Sequence, residues 1–302
     1  MFKRLVIFDG NHLAYRALYK FMNLRTLDGV KTSVIYGMPY IAESLIRRLG
    51  PDEVVVVFDG GRSTFRTGLL PSYKARDKKL GFDAEDFHRM KDEGKKIFMA
   101  LGLRVVHQKG MEADDLIAMI ARKYSQREWE IVIVSADKDF NQLIMPPVTG
   151  LHGAVSVFNV SKNKMYDDLN LKKIVGYSAA NCVDYLALTG DKSDHISGYL
   201  GVGPVRALQI INTFGGVKAF LESEKKYGKI DKEKLKEIWK RNKKLIDLKY
   251  FYRKFLMKVA IPYINPDAKF NLKLLKYICG TYEINSFLKP QFLNTFKNLS
   301  DG

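Results

Sequence analysis

Residues 110–140 have the sequence GMEADDLIAMIARKYSQREWEIVIVSADKDF, which predicts a helix followed by a buried strand. The carboxylates of Glu112, Asp114 and Asp115 precede apolar residues at helical spacing. Acidic side chains are typical of a first helical turn, because they suit the positive end of the helix dipole. Residues 130–135 are β-branched and nearly all apolar, as in a buried strand. Two further carboxylates, Asp137 and Asp139, follow the carboxyl end of that strand.

Acids also follow two other predicted strands. Asp9 comes directly after strand 3–8 and Asp59 after strand 53–58, and helical patterns separate the strands. A single acid in such a position is commonly a solvated residue or a helix N-cap. Three strands that end in Asp and alternate with helices instead predict a parallel sheet. Its carboxyl edge, where open α/β sheets bind ligands, would be lined with acid.

Composition limits the class of protein. The chain has 302 residues, 46% of them hydrophobic, enough for one large or two moderate domains. It carries 50 basic and 33 acidic residues, a net charge of +17. This excess predicts a polyanionic partner, first nucleic acid and second an acidic membrane. No apolar run of about 18 residues and no signal peptide occur, so we expect a cytoplasmic protein without a membrane span. Cys182 and Cys279 lack metal-ligand spacing and are expected to be reduced.

Two stretches allow alternative interpretations. Residues 62–89 have many basic and turn residues and little periodicity. They form either a solvated loop or a mobile basic segment that grips phosphates above the acidic edge. Residues 190–208 contain a glycine turn before a helix. That turn is either an ordinary helix-helix connection or a clamp whose free backbone N–H groups bind phosphate without regard to sequence.

The remaining segments carry less information. Residues 155–160 predict a peripheral strand and residues 179–188 a helix. Residues 225–302 contain 19 Lys/Arg against 7 Asp/Glu and keep apolar residues at helical spacing. A charged face is usually just solvated, but an excess of one sign favours contact with DNA or with an acidic partner.

Six motifs, in order along residues 5–220, resemble those of the 5′-nuclease family. This family includes flap endonucleases, the 5′-nuclease domain of bacterial DNA polymerase I, and stand-alone phage 5′-exonucleases with ribonuclease H activity. The motifs are Asp9-Gly10 with residues 12–16, Phe58-Asp59, Tyr73-Lys74-Ala75-Arg76, Glu112-Ala113-Asp114-Asp115, residues 135–140, and Gly190-Asp191-Lys192-Ser193-Asp194 followed by glycines. Two departures are His195, where the family usually has Asn, and Pro204-Val205-Arg206, where basic residues are common.

The resemblance implies an α/β fold with a PIN-like, mostly parallel central sheet flanked by helices. A helix-3-turn-helix would belong to a C-terminal helical region. On this basis residues 1–176 are the catalytic domain, with a basic arch at about residues 62–89. Residues 177–302 are a helical DNA-binding region, with the helix-3-turn-helix at about residues 190–214 and basic C-terminal helices.

The resemblance also implies a metal site. Two unit charges about 4 Å apart repel by roughly 4 kcal/mol at an effective dielectric near 20, so clustered carboxylates need cations. Oxygen ligands select Mg2+, for which Mn2+ can substitute. Two ions are expected, with Asp9 acting through water and Asp115 and Asp194 in outer positions. The nine expected metal-site residues are Asp9, Asp59, Glu112, Asp114, Asp115, Asp137, Asp139, Asp191 and Asp194.

Family resemblance assigns the reacting groups as well. Lys74 and Arg76 would neutralise the scissile phosphate and, with Asp59, Asp114 and Asp137, form the catalytic set. Tyr15 would stack on a terminal base, with a core aromatic as the alternative. A K+ ion at the glycine turn is a further expectation. The expected substrate-binding residues are Tyr15, Arg16, Arg66, Tyr73, Gly198, Gly201, Gly203 and Arg206.

The implied function is a metal-dependent 5′-3′ exonuclease and structure-specific flap endonuclease that leaves 5′-phosphates during primer removal. Its substrates would be DNA with 5′ flaps, nicks or ends, and the RNA of RNA–DNA hybrids. A monomer is expected, with a single-strand-binding protein or clamp as partner. The alternatives are a PIN-type ribonuclease and a non-catalytic DNA-binding accessory protein. A haloacid-dehalogenase-type phosphotransferase is excluded, because Asp9-Gly10-Asn11 lacks the second Asp that such an enzyme needs.

Overall fold

A six-stranded sheet forms the centre of the molecule in the computed structural model, which describes residues 3–75, 82–250 and 269–300. The strands are β1 (Arg4–Asp9), β2 (Glu53–Val57), β3 (Arg104–Val106), β4 (Glu130–Val134), β5 (Val155–Asn159) and β6 (Lys164–Tyr166). Their spatial order is β3-β2-β1-β4-β5-β6. The first five are parallel, and β6 is antiparallel to β5. The expected mostly parallel α/β sheet is therefore confirmed.

The strand order reverses between β1 and β4, and this reversal positions the site. β1 pairs with β2 on one side and with β4 on the other. In open α/β sheets such a switch point opens a crevice at the carboxyl ends of the two strands. Asp9 is the last residue of β1, and Asp137 lies just beyond the end of β4. Both acids therefore face the crevice.

Helices cover both faces of the sheet, and further helices follow it and pack in separate cores. They are α1 (Gly10–Lys20), α2 (Ser33–Leu49), α3 (Thr64–Leu69), α4 (Ala84–Ala100), α5 (Ala113–Ser125), α6 (Leu171–Val175), α7 (Cys182–Thr189), α8 (Pro204–Phe214), α9 (Val217–Glu222), α10 (Lys232–Ile246), α11 (Leu272–Thr281) and α12 (Pro290–Ser300). Side chains alternate along a strand, so Val6 and Phe8 join α1, α2 and α4 in one core. Leu5 and Ile7 join α5 in the other. The helices α11 and α12 extend the first core.

One expectation about these elements was wrong, and one of two open alternatives is excluded. Residues 155–160 were expected to form a peripheral strand, but all five residues of β5 are buried between β4 and β6. The edge strand β6 has only three residues, too few to leave a pattern in the sequence. Residues 62–89 are not simply a loop, because α3 begins after Ser63, whose hydroxyl accepts from the Arg66 N–H. Within the expected arch, residues 76–81 lie outside the described residues.

The helical region contains a small hairpin that the sequence did not predict. Strands β7 (Gly190–Asp191) and β8 (Ile196–Ser197) are antiparallel and lie between α7 and α8. Gly190 has φ +74°, and a Cβ there would lie 2.3 Å from the Gly198 nitrogen, so the hairpin requires glycine. The first helix beside the turn is α7, which ends before residue 190. The expected limits of the helix-3-turn-helix at 190–214 therefore omitted that helix.

Asn242 of α10 fastens this hairpin to the rest of the protein. Its buried amide donates to the Ala187 carbonyl, at the end of α7, and to the Ser197 carbonyl of β8, each at 2.9 Å. The position of Asp191 in the crevice thus depends on α10. Cys182 and Cys279 are both buried and free. Among the described helices, none combines the length and apolar character that crossing a bilayer demands.

We expect Asn242→Ala to lower the free energy of unfolding by about 1–3 kcal/mol, because two buried carbonyls lose their donor. Urea denaturation followed by circular dichroism would measure the change. Lys240→Ala, an exposed substitution on the same helix, is the control and should stay close to the unsubstituted protein. Equal stability of the two variants would contradict the role given to Asn242.

Candidate metal and nucleic-acid site

A cleft of about 430 Å³ opens at the carboxyl ends of β1 and β4. Five carboxylates reach it from five separate places: the ends of β1 and β2, the start of α5, the turn after β4, and the hairpin. Two lysines lie among them. The lining residues are Asp9, Asn11, His12, Asp59, Lys74, Asp114, Ala136, Asp137, Lys138, Asp191 and Ser193. Acids spread over more than 180 positions of the chain therefore share one concavity.

Two of the acids are held in place by helix starts. Asp9 caps α1: its Oδ1 accepts from the His12 N–H at 2.9 Å, and its Oδ2 accepts from the Ser135 hydroxyl at 2.9 Å. Burial nevertheless raises the pKa of Asp9 to about 6. Asp59 Oδ1 accepts from the Ala113 N–H, at the start of α5, at 2.7 Å. Because backbone groups fix these carboxylates, neither can move away from the others.

The opposite wall is formed by the turn after β4. Asp137 caps the 3-10 helix Lys138–Leu143 and accepts from the Asp139 N–H at 2.8 Å. The Asp139 Oδ1 is buried and has no hydrogen-bond partner among the described residues. Burial, and then the charge of Asp137, raise the pKa of both Asp114 and Asp139 well above the ordinary value. These acids repel one another and lack enough positive charge nearby.

Two lysines partly offset this charge. The Lys74 Nζ lies 3.3 Å from Glu112 Oε1 and 3.9 Å from Asp194 Oδ2, and the Lys138 Nζ lies 3.0 Å from Asp191 Oδ2. Burial alone would lower the pKa of Lys74, but the surrounding carboxylates raise it, so the ammonium group stays charged. Burial raises the pKa of Asp194 to about 6 despite Lys74.

The backbone of Lys74 is itself unusual. Its φ is +48°, a left-handed conformation that a residue with a Cβ rarely adopts. The Lys74 N–H donates to the Asp194 carbonyl at 3.2 Å, which holds the segment against the hairpin. Non-glycine residues in this conformation cost free energy and cluster at functional sites. The strain supports a functional role for this lysine.

The residues of the cleft fit hard cations bound largely through water. Within residues 3–75, 82–250 and 269–300, no three His, Cys, Asp or Glu side chains already form a metal-binding group. The carboxylates surround a wide space instead, and Asp139 Oδ1 lacks a donor. Mg2+ typically keeps several waters and binds protein through one or two carboxylates. A wide cleft whose acidic donors are all carboxylate oxygens suits such hydrated ions.

Beneath the cleft, Arg66 forms a buried ion-pair cluster. Its Nη1 and Nη2 donate to the two carboxylate oxygens of Asp115 at 2.6 and 2.7 Å, and its Nη1 also donates to Glu112 Oε2 at 2.8 Å. Its Nε donates to the Leu245 carbonyl of α10 at 2.8 Å. Arg66 is only 3% exposed, so its expected contact with DNA is contradicted. The guanidinium joins α3, α5 and α10 instead.

Asp115 and Tyr73 belong to the same cluster and also need correction. Asp115 is 1% exposed and both its oxygens accept from Arg66, so it is not placed to bind a metal ion. Burial raises the pKa of Asp115, and the guanidinium acts against this rise. Tyr73 is buried, and its hydroxyl contacts Glu112 Oε2 at 2.9 Å and Asp194 Oδ2 at 3.3 Å. It orients two acids and does not face DNA.

The remaining predicted contacts lie at the surface. Tyr15 is 38% exposed, and its ring stacks on Phe87 at 4.7 Å, so it is not a core residue. Gly201 and Gly203 are exposed in the turn before α8, and the Arg206 guanidinium braces that turn by donating to the Gly201 carbonyl at 2.8 Å.

Gly198 has a structural reason to be glycine, since a Cβ would lie 2.3 Å from the Leu188 carbonyl oxygen. Arg16 lies outside the metal cleft and lines an adjoining groove. Arg76 lies outside the described residues.

Several cleft residues were not predicted from the sequence. His12 was expected to be structural or at the surface, but it lines the cleft and its buried Nε2 has no described partner. Burial lowers its pKa. Lys138, Ser193 and Asn11 also line the cleft. The sequence offered one signal for these four residues: each lies within three positions of an acid that was predicted to bind metal.

Comparison with known proteins gives consistent matches. The family model described as "5′-3′ exonuclease, N-terminal resolvase-like domain" matches residues 4–176. The model described as "5′-3′ exonuclease, C-terminal SAM fold" matches residues 177–271. A 5′-3′ exonuclease of Aquifex aeolicus is 32% identical over 291 residues, which cover 95% of this chain and 94% of that protein. DNA polymerase I of Bacillus subtilis is 28% identical over 298 residues, 98% of this chain but only 31% of the polymerase.

Solved structures have the same fold. A complex of the bacteriophage T5 flap endonuclease with DNA and metal ions aligns with a TM-score of 0.69 at 21% identity, covering 99% of this chain and 100% of that one. The T5 5′-exonuclease with bound zinc ions aligns with a TM-score of 0.68 at 21% identity, covering 92% and 98%. At a sequence identity of 21%, these matches show a shared fold and no more.

We expect Arg66→Met to lower the free energy of unfolding by about 3–5 kcal/mol, because it leaves the buried Asp115 carboxylate without its partner. Chemical denaturation would measure the loss. The double variant Arg66→Met/Asp115→Leu should recover part of it, since a buried pair replaced by apolar groups costs little. Arg62→Met, at an exposed arginine nearby, is the control. If Arg66→Met weakened only DNA binding and left stability intact, the buried assignment would be wrong.

Proposed function

The chain belongs to the 5′-3′ exonuclease family, and we propose that it hydrolyses phosphodiesters near the 5′ ends of nucleic acids as a divalent-metal-dependent, structure-specific nuclease. The observation that carries this proposal is the cleft itself. Five carboxylates from separate elements converge at the switch point of the sheet, and Lys74 stands beside them. A protein that only binds nucleic acid has no need to gather repelling acids inside a basic surface.

Asp59 and Asp114 would hold one ion, and Asp137 and Asp191, with Asp139 close to both, would hold a second. Two Mg2+ ions there would activate a water molecule and stabilise the leaving 3′-oxygen, and Mn2+ suits the same donors. Glu112 and Asp194 already contact Lys74 and Tyr73. These two acids would therefore reach the ions through water.

Lys74 has the geometry of a phosphate-binding group. Its side chain remains about a third exposed at the cleft while three acids keep it protonated. A preorganised charge of this kind stabilises negative charge that develops on a phosphoryl group in the transition state. Arg76 follows two residues later, and we propose that it assists Lys74.

The exposed glycine turn before α8 supports binding of duplex backbone. Gly201 and Gly203 leave its backbone open to solvent. The Gly201 carbonyl accepts from Arg206 and has a second lone pair with which to bind a K+ ion. The net charge of +17 favours contact with several phosphates of the nucleic acid, in addition to the one that reacts.

The substrates proposed are DNA with 5′ flaps, nicks or ends and the RNA strand of RNA–DNA hybrids, cleaved to 5′-phosphates during primer removal. We propose that the protein acts as a monomer and that a single-strand-binding protein or clamp recruits it. Mapping the products from flap, nicked and hybrid substrates, with Mg2+ and with chelator, would test these assignments. Cleavage of single-stranded RNA alone would indicate a PIN-type ribonuclease instead.

We expect Asp114→Asn and Asp137→Asn to abolish cleavage of a labelled flap substrate while DNA affinity, measured by fluorescence anisotropy, changes little. Each substitution removes a charge that the ions need, but neither touches the basic surface. Asp168→Asn is the control, because Asp168 is exposed and does not line the cleft; this variant should cleave normally. Retained cleavage in the two cleft variants would contradict the metal assignment.

For Lys74→Ala we expect the single-turnover rate to fall by about 10²–10³-fold, as when one transition-state donor is lost. The affinity for DNA should change much less, because a single cation is removed from a highly basic protein. Lys109→Ala, at an exposed lysine, provides the comparison. An unchanged single-turnover rate in Lys74→Ala would remove this residue from the mechanism.

A further inference from the structure

One acid of the cleft is already paired with a lysine at the place where the second ion would bind. The Lys138 Nζ lies 3.0 Å from Asp191 Oδ2. The other oxygen of this carboxylate, Oδ1, accepts from the Ser193 N–H at 2.8 Å and also from the Ser193 hydroxyl. Both oxygens of Asp191 therefore have a partner. An ion that binds this acid has to share or replace one of these contacts.

The acids that would hold the first ion differ in this respect. In the part of the chain that the structure describes, no lysine or arginine forms an ion pair with Asp59 or Asp114. The first ion would thus displace no ammonium group of the described residues. The second ion would meet one.

An ion and the ammonium group cannot easily share Asp191. Because the Lys138 nitrogen is 3.0 Å from Oδ2, and Mg2+ binds carboxylate oxygens at about 2.1 Å, an ion on that oxygen would lie within about 5 Å of the ammonium. Positive charges at such a distance repel each other, and partial burial weakens their screening by salt. Ser193 holds the carboxylate on the hairpin, so the lysine is the group that moves.

Lys138 has room to move. It is the first residue of the 3-10 helix after β4, and its side chain is 47% exposed, whereas that of Asp191 is 11% exposed. Its long, flexible stem can carry the ammonium into solvent. Lys74 is more firmly held, because its ammonium lies near both Glu112 and Asp194 and its own N–H donates to the Asp194 carbonyl.

We propose that Lys138 competes with the second divalent ion for Asp191, and that this competition sets the Mg2+ concentration at which the cleft holds both ions. The ammonium balances the charge of Asp191 until the ion displaces it. Cleavage by two ions then follows this exchange in its dependence on Mg2+. The inference rests on the two-ion site of the proposed function. It adds a regulatory role for a residue of this chain that is not itself a metal ligand.

The test measures binding of Mn2+, which suits the same donors, to the DNA-free protein by electron paramagnetic resonance. Lys138→Met lacks the competing ammonium and should bind the second ion about three- to five-fold more tightly, as expected for loss of a partly exposed ion pair. The first ion should bind almost as before. Lys31→Met is the matched control, because it removes a partly exposed Lys-Asp pair outside the cleft, in which Lys31 lies 3.1 Å from Asp86.

A further variant, Lys74→Met, separates direct competition from a general effect of charge. Both cleft variants remove one positive charge, but of these two lysines only Lys138 contacts Asp191. Competition therefore predicts that the affinity for the second ion rises more in Lys138→Met than in Lys74→Met. Equal increases in the two variants, or no increase in Lys138→Met, would overturn the proposal.

A second readout follows the Lys138 ammonium itself. NMR signals of lysine ammonium groups report their ion pairs, and the signal that is missing from Lys138→Met identifies Lys138. Addition of Mg2+ should shift this signal and leave that of Lys31 in place. An unchanged Lys138 signal at saturating Mg2+ would overturn the proposal. If the unsubstituted protein bound both ions but cleaved no substrate, the proposed function would fail, while these measurements would still decide the competition.

Discussion

Repulsion among carboxylates fixed at one edge of the sheet is the constraint on which the rest of the structure depends. Asp9 is tied to the start of α1, Asp59 to the start of α5, and Asp137 to the turn after β4. Backbone hydrogen bonds at helix starts favour negative charge but also prevent the acids from separating. Their charge must therefore be offset where they stand. Lys74 and Lys138 supply part of the offset, and divalent ions would supply the remainder.

A second cluster below the cleft balances its own charge and joins distant parts of the chain. Arg66 binds Asp115 and Glu112 of the sheet domain and the Leu245 carbonyl of the helical region. Asn242, on the same helix as Leu245, holds the hairpin that carries Asp191. The cluster beneath the cleft and the hairpin that carries Asp191 are thus both anchored to α10.

The sequence predicted the features that depend on neighbouring residues. Strands ending in Asp9, Asp59 and Asp137 follow from local periodicity, and parallel pairing brings their ends together. The errors concern burial, which distant contacts decide. Arg66 lies in a basic stretch without periodicity, and its partner Leu245 is 179 positions away. Nothing local distinguished an arginine in the core from one at the DNA surface.

The short connection from Arg66 to Lys74 has a consequence for how homologous chains can vary in length. Arg66 is fixed by its buried ion pair, and the Lys74 N–H is fixed to the Asp194 carbonyl. Because both ends of this segment are fixed, its length is fixed as well. An inserted or deleted residue there would move Lys74 out of the cleft. We therefore expect length variation at this part of the fold to occur after Lys74 and before α4. The length of that segment can change, in evolution or by design, while Lys74 keeps its place beside the cleft.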